Sequence, residues 1–192
     1  MFLLSKPQKE DIDSFIICSS HLDFSYFPIS WSYRCIVPHG YKSDHNRIKL
    51  GEGNAVFEKA KDAVRAWKMF DMPWVGLCHP DTPIETGKDV AILIRHFGFY
   101  SLNAARIVYV IDEPNRFGFA YGTLEDHGES GEERFSVEYD PETGEVWYDL
   151  FAFSRPNLFL AKLGYPLTRM LQKRFARDSK AAMVRAIKGD FR

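Results

Sequence analysis

The stretch "FGFAYGTLEDHGESGEERF", Phe117–Phe135, decides how this chain is expected to fold. Its first half is aromatic, small and β-branched, a composition that suits a strand. Its end runs on into "SVEYD", where Phe135, Val137 and Tyr139 alternate with polar residues, as in a strand with one wet face. Between the two halves lies the polar tract "EDHGESG". Two strands joined by a polar connection read as an antiparallel hairpin, here with a connection longer than a tight turn needs.

The same texture extends in both directions. "DVAILIRHFGFY" and "ARIVYVID" precede the hairpin and "EVWYDLFAF" follows it, separated by the turn signals "HPDTPIETG", "EPN" and "DPETG". Five or six consecutive strands with short gaps predict one antiparallel meander over residues 74–155, not a set of βαβ units. Helical spacing appears outside it. Residues 7–20 predict a short helix with Pro7 at its first position and Ile12, Phe15 and Ile16 on one face. "VPHGYKSDHN" reads as a loop and Arg47–Leu50 as a short strand. Gly51 and Gly53 then make a turn, and Asn54 caps a helix carrying Val56, Ala60, Ala63, Val64 and Trp67 on one stripe, with Phe57 beside it. After "SRPN", Leu158, Leu160 and Leu163 lead to Gly164 and Pro166, where a helix must break or restart. "LTRMLQKRFARDSKAAMVRAIKG" is a long basic helix with Leu167, Leu171 and Phe175 on one stripe. The expected fold is α+β, a single domain over residues 1–192, in which a curved antiparallel sheet wraps a long C-terminal helix. Such a sheet can enclose an apolar cavity against the helix.

Composition narrows the function. A formal net charge of −1 disfavours nucleic acid as a bulk electrostatic partner. Charge is nonetheless uneven, with six acids and one arginine from Glu125 to Glu138, and nine Lys and Arg against two Asp from Ala161 to Arg192. Cys18, Cys35 and Cys78 are widely spaced and form no CxxC, which fits a reduced, cytoplasmic protein. No apolar run reaches the length of a signal peptide or a transmembrane segment. No metal or cofactor site is read. No HExxH occurs, and the side chains of Cys78 and His79 point apart on a strand. "GEGNAVFEKA" lacks the third glycine of a dinucleotide fingerprint and the Lys-Ser or Lys-Thr of a P-loop. A Ser-His-Asp hydrolase has no GxSxG elbow to support it.

The polar tract holds the remaining chemistry. His127 stands among Asp126, Glu129, Glu132 and Glu133, and nearby carboxylates would raise its pKa and suit it to acid or base work. Arg134 can grip a carboxylate or an anionic ligand bidentately. The competing reading is a solvated hairpin tip, with Gly128 and Gly131 serving the backbone. Arg155, in "FSRP" after the last strand, reads as an ion-pair latch or a ligand contact, ahead of a proline that opens the terminal helix.

With "RIVYVID", "FGFAYGTLEDHGESGEERF", "AFSRP", "LQKRF" and the front stretch "GYKSDHNRIKLGEGNAVFEKAKDAVRAWKMF", the chain resembles the DUF1990 family, also called UPF0548. The resemblance covers almost the whole chain and implies kinship but no reaction. One departure lies at residues 24–32, "FSYFPISWS", where the family leads one to look for a glycine-containing segment. The order of strands and helices is similar to the helix-grip folds of START-like proteins. Fold does not give function, so three expectations stand. The first is a binding module for a small, largely apolar or lipid-like molecule with an acidic or polar head. Trp67, Phe119, Tyr121, Trp147 and Phe153 would line its cavity, with His127, Glu132, Glu133, Arg134 and Arg155 near the mouth and Arg106 as a partner for the acids. The second is an enzyme using the same pocket, with His127 or Glu132 as acid or base. The third is contact of the basic last helix with a membrane surface or a protein partner.

Overall fold

The computed structural model describes residues 1–157 and 165–189. The meander is present: β3 (Val75–Leu77), β4 (Asp89–Arg95), β5 (Tyr100–Glu113), β6 (Arg116–Thr123), β7 (Glu129–Tyr139) and β8 (Glu145–Pro156) pair in succession, all antiparallel. Two further strands extend it. β1 (Phe2–Leu3) adds to β5, and β2 (Lys42–Glu52) pairs along the free edge of β8. The sheet order is β2-β8-β7-β6-β5-β4-β3, with β1 beside β5. β2 corrects the expectation of a loop and a four-residue strand. Its first half is too polar to announce itself, but the edge of β8 offers it a ladder of backbone hydrogen bonds.

Three helices of more than one turn are described: α1 (Lys9–Ser19), α2 (Asn54–Arg65) and α3 (Tyr165–Lys188). α2 starts one residue earlier than a cap at Asn54 would require, because Gly53 takes the N-cap position with a positive φ of 86°. Its stripe is as expected, with Phe57, Ala60, Ala63 and Val64 buried. It ends at Arg65, and two residues on the left-handed backbone of Trp67 turns the chain into a short 3₁₀ segment, Lys68–Phe70, that drops Phe70 onto the sheet. On α3, Leu171, Phe175 and Met183 pack against the same core at helical spacing, while Leu167 is 45% exposed. The expected break among Leu158, Leu160, Leu163 and Gly164 lies outside the described residues. Arg155 and Pro156 belong to β8 rather than to the opening of a helix.

Strand alternation sorts the sheet into two faces. The inner face carries Val90, Ile92, Ile107, Phe119, Phe135, Tyr148 and their neighbours, and packs against α2 and α3. This is the helix-grip arrangement, a curled antiparallel sheet holding a C-terminal helix. The outer face is covered too. α1 lays Phe15, Ile12 and Ile16 on Ala91, Leu102 and Ala104. Residues 24–35 cross β6 to β8 as a strap, putting Tyr26 against Phe153 and ending in a 3₁₀ turn, Trp31–Arg34.

Candidate functional site

Between the sheet and α3 lies a cavity of about 370 Å³. Its apolar wall comes from Phe70, Trp74, Ile92, Ile94, Leu150 and Phe175. The periodicity that builds the core also builds this wall. Ile92 and Ile94 are the inward positions of β4, and Phe175 is one turn past Leu171 on α3.

Polar groups enter the apolar space at a few points. On neighbouring strands Tyr121 stands directly opposite Glu133, and its hydroxyl donates to Glu133 Oε2 at 2.6 Å. Burial pushes the Glu133 carboxyl up to about 7; the Tyr121 hydrogen bond pulls against this, and Glu129 and Asp44 add to the rise. Burial likewise keeps the Tyr121 hydroxyl protonated far above its ordinary range. Toward the start of β7, Glu129 accepts from Gln172 Nε2 at 2.7 Å, and burial pushes it up to about 7 as well. Gln172 in turn accepts from Arg169, whose guanidinium is paired with Asp44. Among the described residues the lining holds carboxyl groups and neutral polar groups and no Lys or Arg. Among the described residues, no cluster of three or more His, Cys, Asp or Glu could hold a metal ion.

His127 lines this cavity but does not behave as its acidic neighbours suggest. Part of its surface stays accessible, yet the ring is deep enough that burial pulls its pKa down to about 4, the reverse of the expected rise. Asp126 and Glu125 face solvent, so they do not compensate. Its Nδ1 accepts the Glu129 backbone N–H at 3.0 Å, and Asn157 donates to the carbonyls of His127 and Glu125. His127 is therefore a cap for the loop that turns β6 into β7.

The other expected site residues divide by strand parity. Tyr121 and Glu133 face inward. Glu132 and Phe153 border the cavity wall, but their side chains turn outward to the strap. Glu132, 2% exposed, accepts from Tyr26 Oη at 2.6 Å, from the backbone N–H of Ser30 and Ser32 at 2.8 and 2.9 Å, and from the Ser32 hydroxyl. With these donors on it, Glu132 is not placed to act in the cavity. Gly122 makes this possible, since any side chain there would collide with Tyr26. Arg134 is also outward. Its two Nη groups are spent on Asp149 at 2.6 Å and the Ser32 carbonyl at 2.8 Å, and its Nε is buried without a hydrogen-bond partner among the described residues, so no fork is presented to the cavity. Arg106 meets neither Glu132 nor Glu133; it holds Asp89 and the carbonyls of Ser20 and Leu22, fastening the end of α1. Arg155 lies over the Tyr41 ring, and Arg47 over Trp147, both on the outer side. Trp67 and Phe119 pack on each other at 4.7 Å in the core and do not line the cavity. Sequence reading missed Phe70, Trp74, Asn103, Gln172 and the pair His96–Ser101. The inward alternation of β4 and β5 could have found some of these, but the contribution of α3 depends on how the helix sits.

Residues 26–182 match the family described as "Domain of unknown function (DUF1990)". A UPF0548 protein of Deinococcus radiodurans is 40% identical, over 97% of this chain and 98% of its own. One from Dictyostelium discoideum is 36% identical over 97% and 96%, and one from Arabidopsis thaliana 39% over 77% and 74%. The chain belongs to the DUF1990 family. Among solved structures, a hypothetical protein from Helicobacter pylori superposes with a TM-score of 0.53 at 15% identity, covering 85% of this chain and 95% of that one. Norcoclaurine synthase from Thalictrum flavum, in complex with dopamine and hydroxybenzaldehyde, gives 0.50 at 9% identity, covering 79% and 89%. At such identities the likeness is one of fold.

Proposed function

We propose that this DUF1990 protein binds a small amphiphilic molecule in the cavity between sheet and α3, with an apolar body along the aromatic wall and a hydrogen-bond-donating head, an amine or a hydroxyl, on Glu133. The observation that carries this reading is the Tyr121–Glu133 pair, a buried carboxyl with a single donor at a mostly apolar wall. The cavity volume of about 370 Å³ is in the range of small-ligand sites. An acidic head, one of the original expectations, would meet Glu133 and Glu129 and no Lys or Arg among the described lining residues. An ammonium head would instead favour ionisation of Glu133 and gain a charge-assisted hydrogen bond.

The test has two parts. Native mass spectrometry of protein purified without organic solvent should show a copurified species. An alkylamine and an alkylcarboxylate of equal chain length are then compared by calorimetry at pH 7. The amine should bind at least about tenfold tighter, a difference of about 1.4 kcal/mol, and Glu133→Gln should remove most of that preference. Equal affinities, or tighter binding of the carboxylate, would refute the donor head.

One observation favours a second reading, contact with an anionic lipid surface. Phe2 and Leu167 line the cavity and are 60% and 45% exposed, Phe97 in the adjoining turn is 77% exposed, and Lys173 and Arg177 stand exposed farther along α3. Cosedimentation with phosphatidylserine-containing vesicles, lost in Phe97→Ser, would support it; no sedimentation at low salt would remove it. No helix among the described residues is long and apolar enough to cross a membrane.

A further inference from the structure

The cavity has a second polar point, which neither the ligand head nor the loop cap uses. His96 and Ser101 face each other across the hairpin between β4 and β5, with His96 Nε2 2.8 Å from Ser101 Oγ. Both line the cavity, as does Asn103, whose Nδ2 donates to the same Oγ at 3.1 Å. We propose that Ser101 and His96 are a nucleophile and its general base, and that the cavity carries out acyl transfer on small carboxylic esters with apolar chains. The inference rests on the cavity being a ligand site.

The activating arrangement has the Ser101 hydroxyl donating to His96 Nε2, with the ring as its Nδ1–H tautomer. A hydroxyl has one hydrogen and accepts through its lone pairs. Asn103 donates into one lone pair of Oγ, and in that tautomer the hydroxyl hydrogen goes to Nε2. His96 accepts it as the neutral ring, and burial favours that form. The imidazole is held in place by stacking on Phe99, with centroids 4.5 Å apart and planes 15° apart, while the His96 backbone N–H donates to the Phe99 carbonyl at 2.8 Å and closes the turn. A nucleophile within hydrogen-bond reach of a positioned base is the arrangement that activates serine. Ser101 is only 4% exposed, so water reaches it chiefly by way of the cavity.

In the reaction, Oγ bonds to the ester carbonyl carbon while its proton passes to Nε2. The tetrahedral intermediate expels the alcohol oxygen, which takes that proton and leaves as the alcohol. Water, deprotonated by the same nitrogen, then attacks the acyl-serine, and the acid departs as Oγ regains its proton. The Asn103 amide, which donates to Oγ and to the Ile92 carbonyl, holds the serine side chain in position. Sequence reading had no access to this pair. It lacks an elbow motif and depends on a hairpin bringing residues five apart into contact.

The experiment uses an alkyl fluorophosphonate, in which Oγ forms a bond to phosphorus as fluoride leaves, followed by peptide mass spectrometry and by hydrolysis of p-nitrophenyl butyrate. We expect the adduct on Ser101, no adduct there in Ser101→Ala, and labelling about a hundredfold slower in His96→Gln. No adduct on Ser101 of the wild-type protein overturns the proposal, as does wild-type labelling rate in a folded His96→Gln. If a variant fails to fold, the wild-type adduct alone decides, in the same two directions. Alkylamine binding measured on the same sample separates the two readings. Binding without an adduct removes acyl transfer and leaves the binding function; loss of both removes both.

Discussion

Glu132 and Glu133 are adjacent in the chain and have opposite situations. Glu132 points outward and is saturated, with two backbone N–H groups and two hydroxyls of the strap on its oxygens. Glu133 points inward, with one tyrosine hydroxyl and an apolar cavity before it. A buried carboxylate surrounded by donors from its own chain is a fastening. One with a single donor and empty space has acceptor capacity left for another molecule. The difference follows from strand parity and from what covers each face.

The fastening can be broken directly. Glu132→Ala should leave the Ser30 and Ser32 N–H groups and the Tyr26 hydroxyl without their acceptor, lowering stability by roughly 5 kcal/mol in urea denaturation. Whatever fraction folds should still bind the cavity ligand. A loss under about 1 kcal/mol would mean that the strap is not held by this carboxylate. Trp67→Ala comes next. Trp67 is 3% exposed, packs on Phe119 and donates to the Thr82 carbonyl. A loss of roughly 3–5 kcal/mol with ligand affinity unchanged is expected; weaker binding with little destabilisation would make it a wall of the cavity instead.

The sequence carried the meander, the amphipathic stripe of α2 and Tyr121 as an inward residue of its strand, because strand and helix periods are local properties. It did not carry the partners. Arg106 and Arg155 were the obvious cations for the acidic hairpin, yet Glu132 is held by neutral donors from residues 26–32. Backbone N–H groups have no sequence signature, and the segment that supplies them is the one that looked divergent. The charge state of His127 was misjudged for a related reason. Proximity in sequence to acids says nothing about which of them face solvent, and burial outweighed them.

The inner carboxyl sets the pH response. Glu133 titrates from about 4.5 unfolded to about 7 folded, so the folded state holds its proton more tightly. Where only the folded chain binds that proton, stability falls as pH rises. From pH 4.5 to 7 wild-type stability should therefore decline, by at most about 3 kcal/mol from this group, and Glu129 should act in the same sense. Glu133→Gln should flatten the slope in urea midpoints taken across this window. An unchanged slope would show that Glu133 ionises freely, and with it would go the contrast with Glu132.

The smallest effect belongs to His127, and its sign is opposite. Its pKa falls from 6.5 unfolded to about 4 folded, so between these values the unfolded chain binds the extra proton and stability rises with pH. Over most of the window the histidine thus works against the two carboxyls and hides part of their effect. His127→Gln keeps an acceptor that can reach the Glu129 N–H, so at pH 7.5 stability should change by less than about 1 kcal/mol. At pH 5 the variant should gain relative to wild type, because it no longer contributes a proton site to the unfolded state. The plot of stability against pH should then be steeper than wild type, whereas in Glu133→Gln it is flatter. If His127→Gln flattened it instead, His127 would be charged in the folded protein, and the original expectation of a raised histidine among acids would be restored.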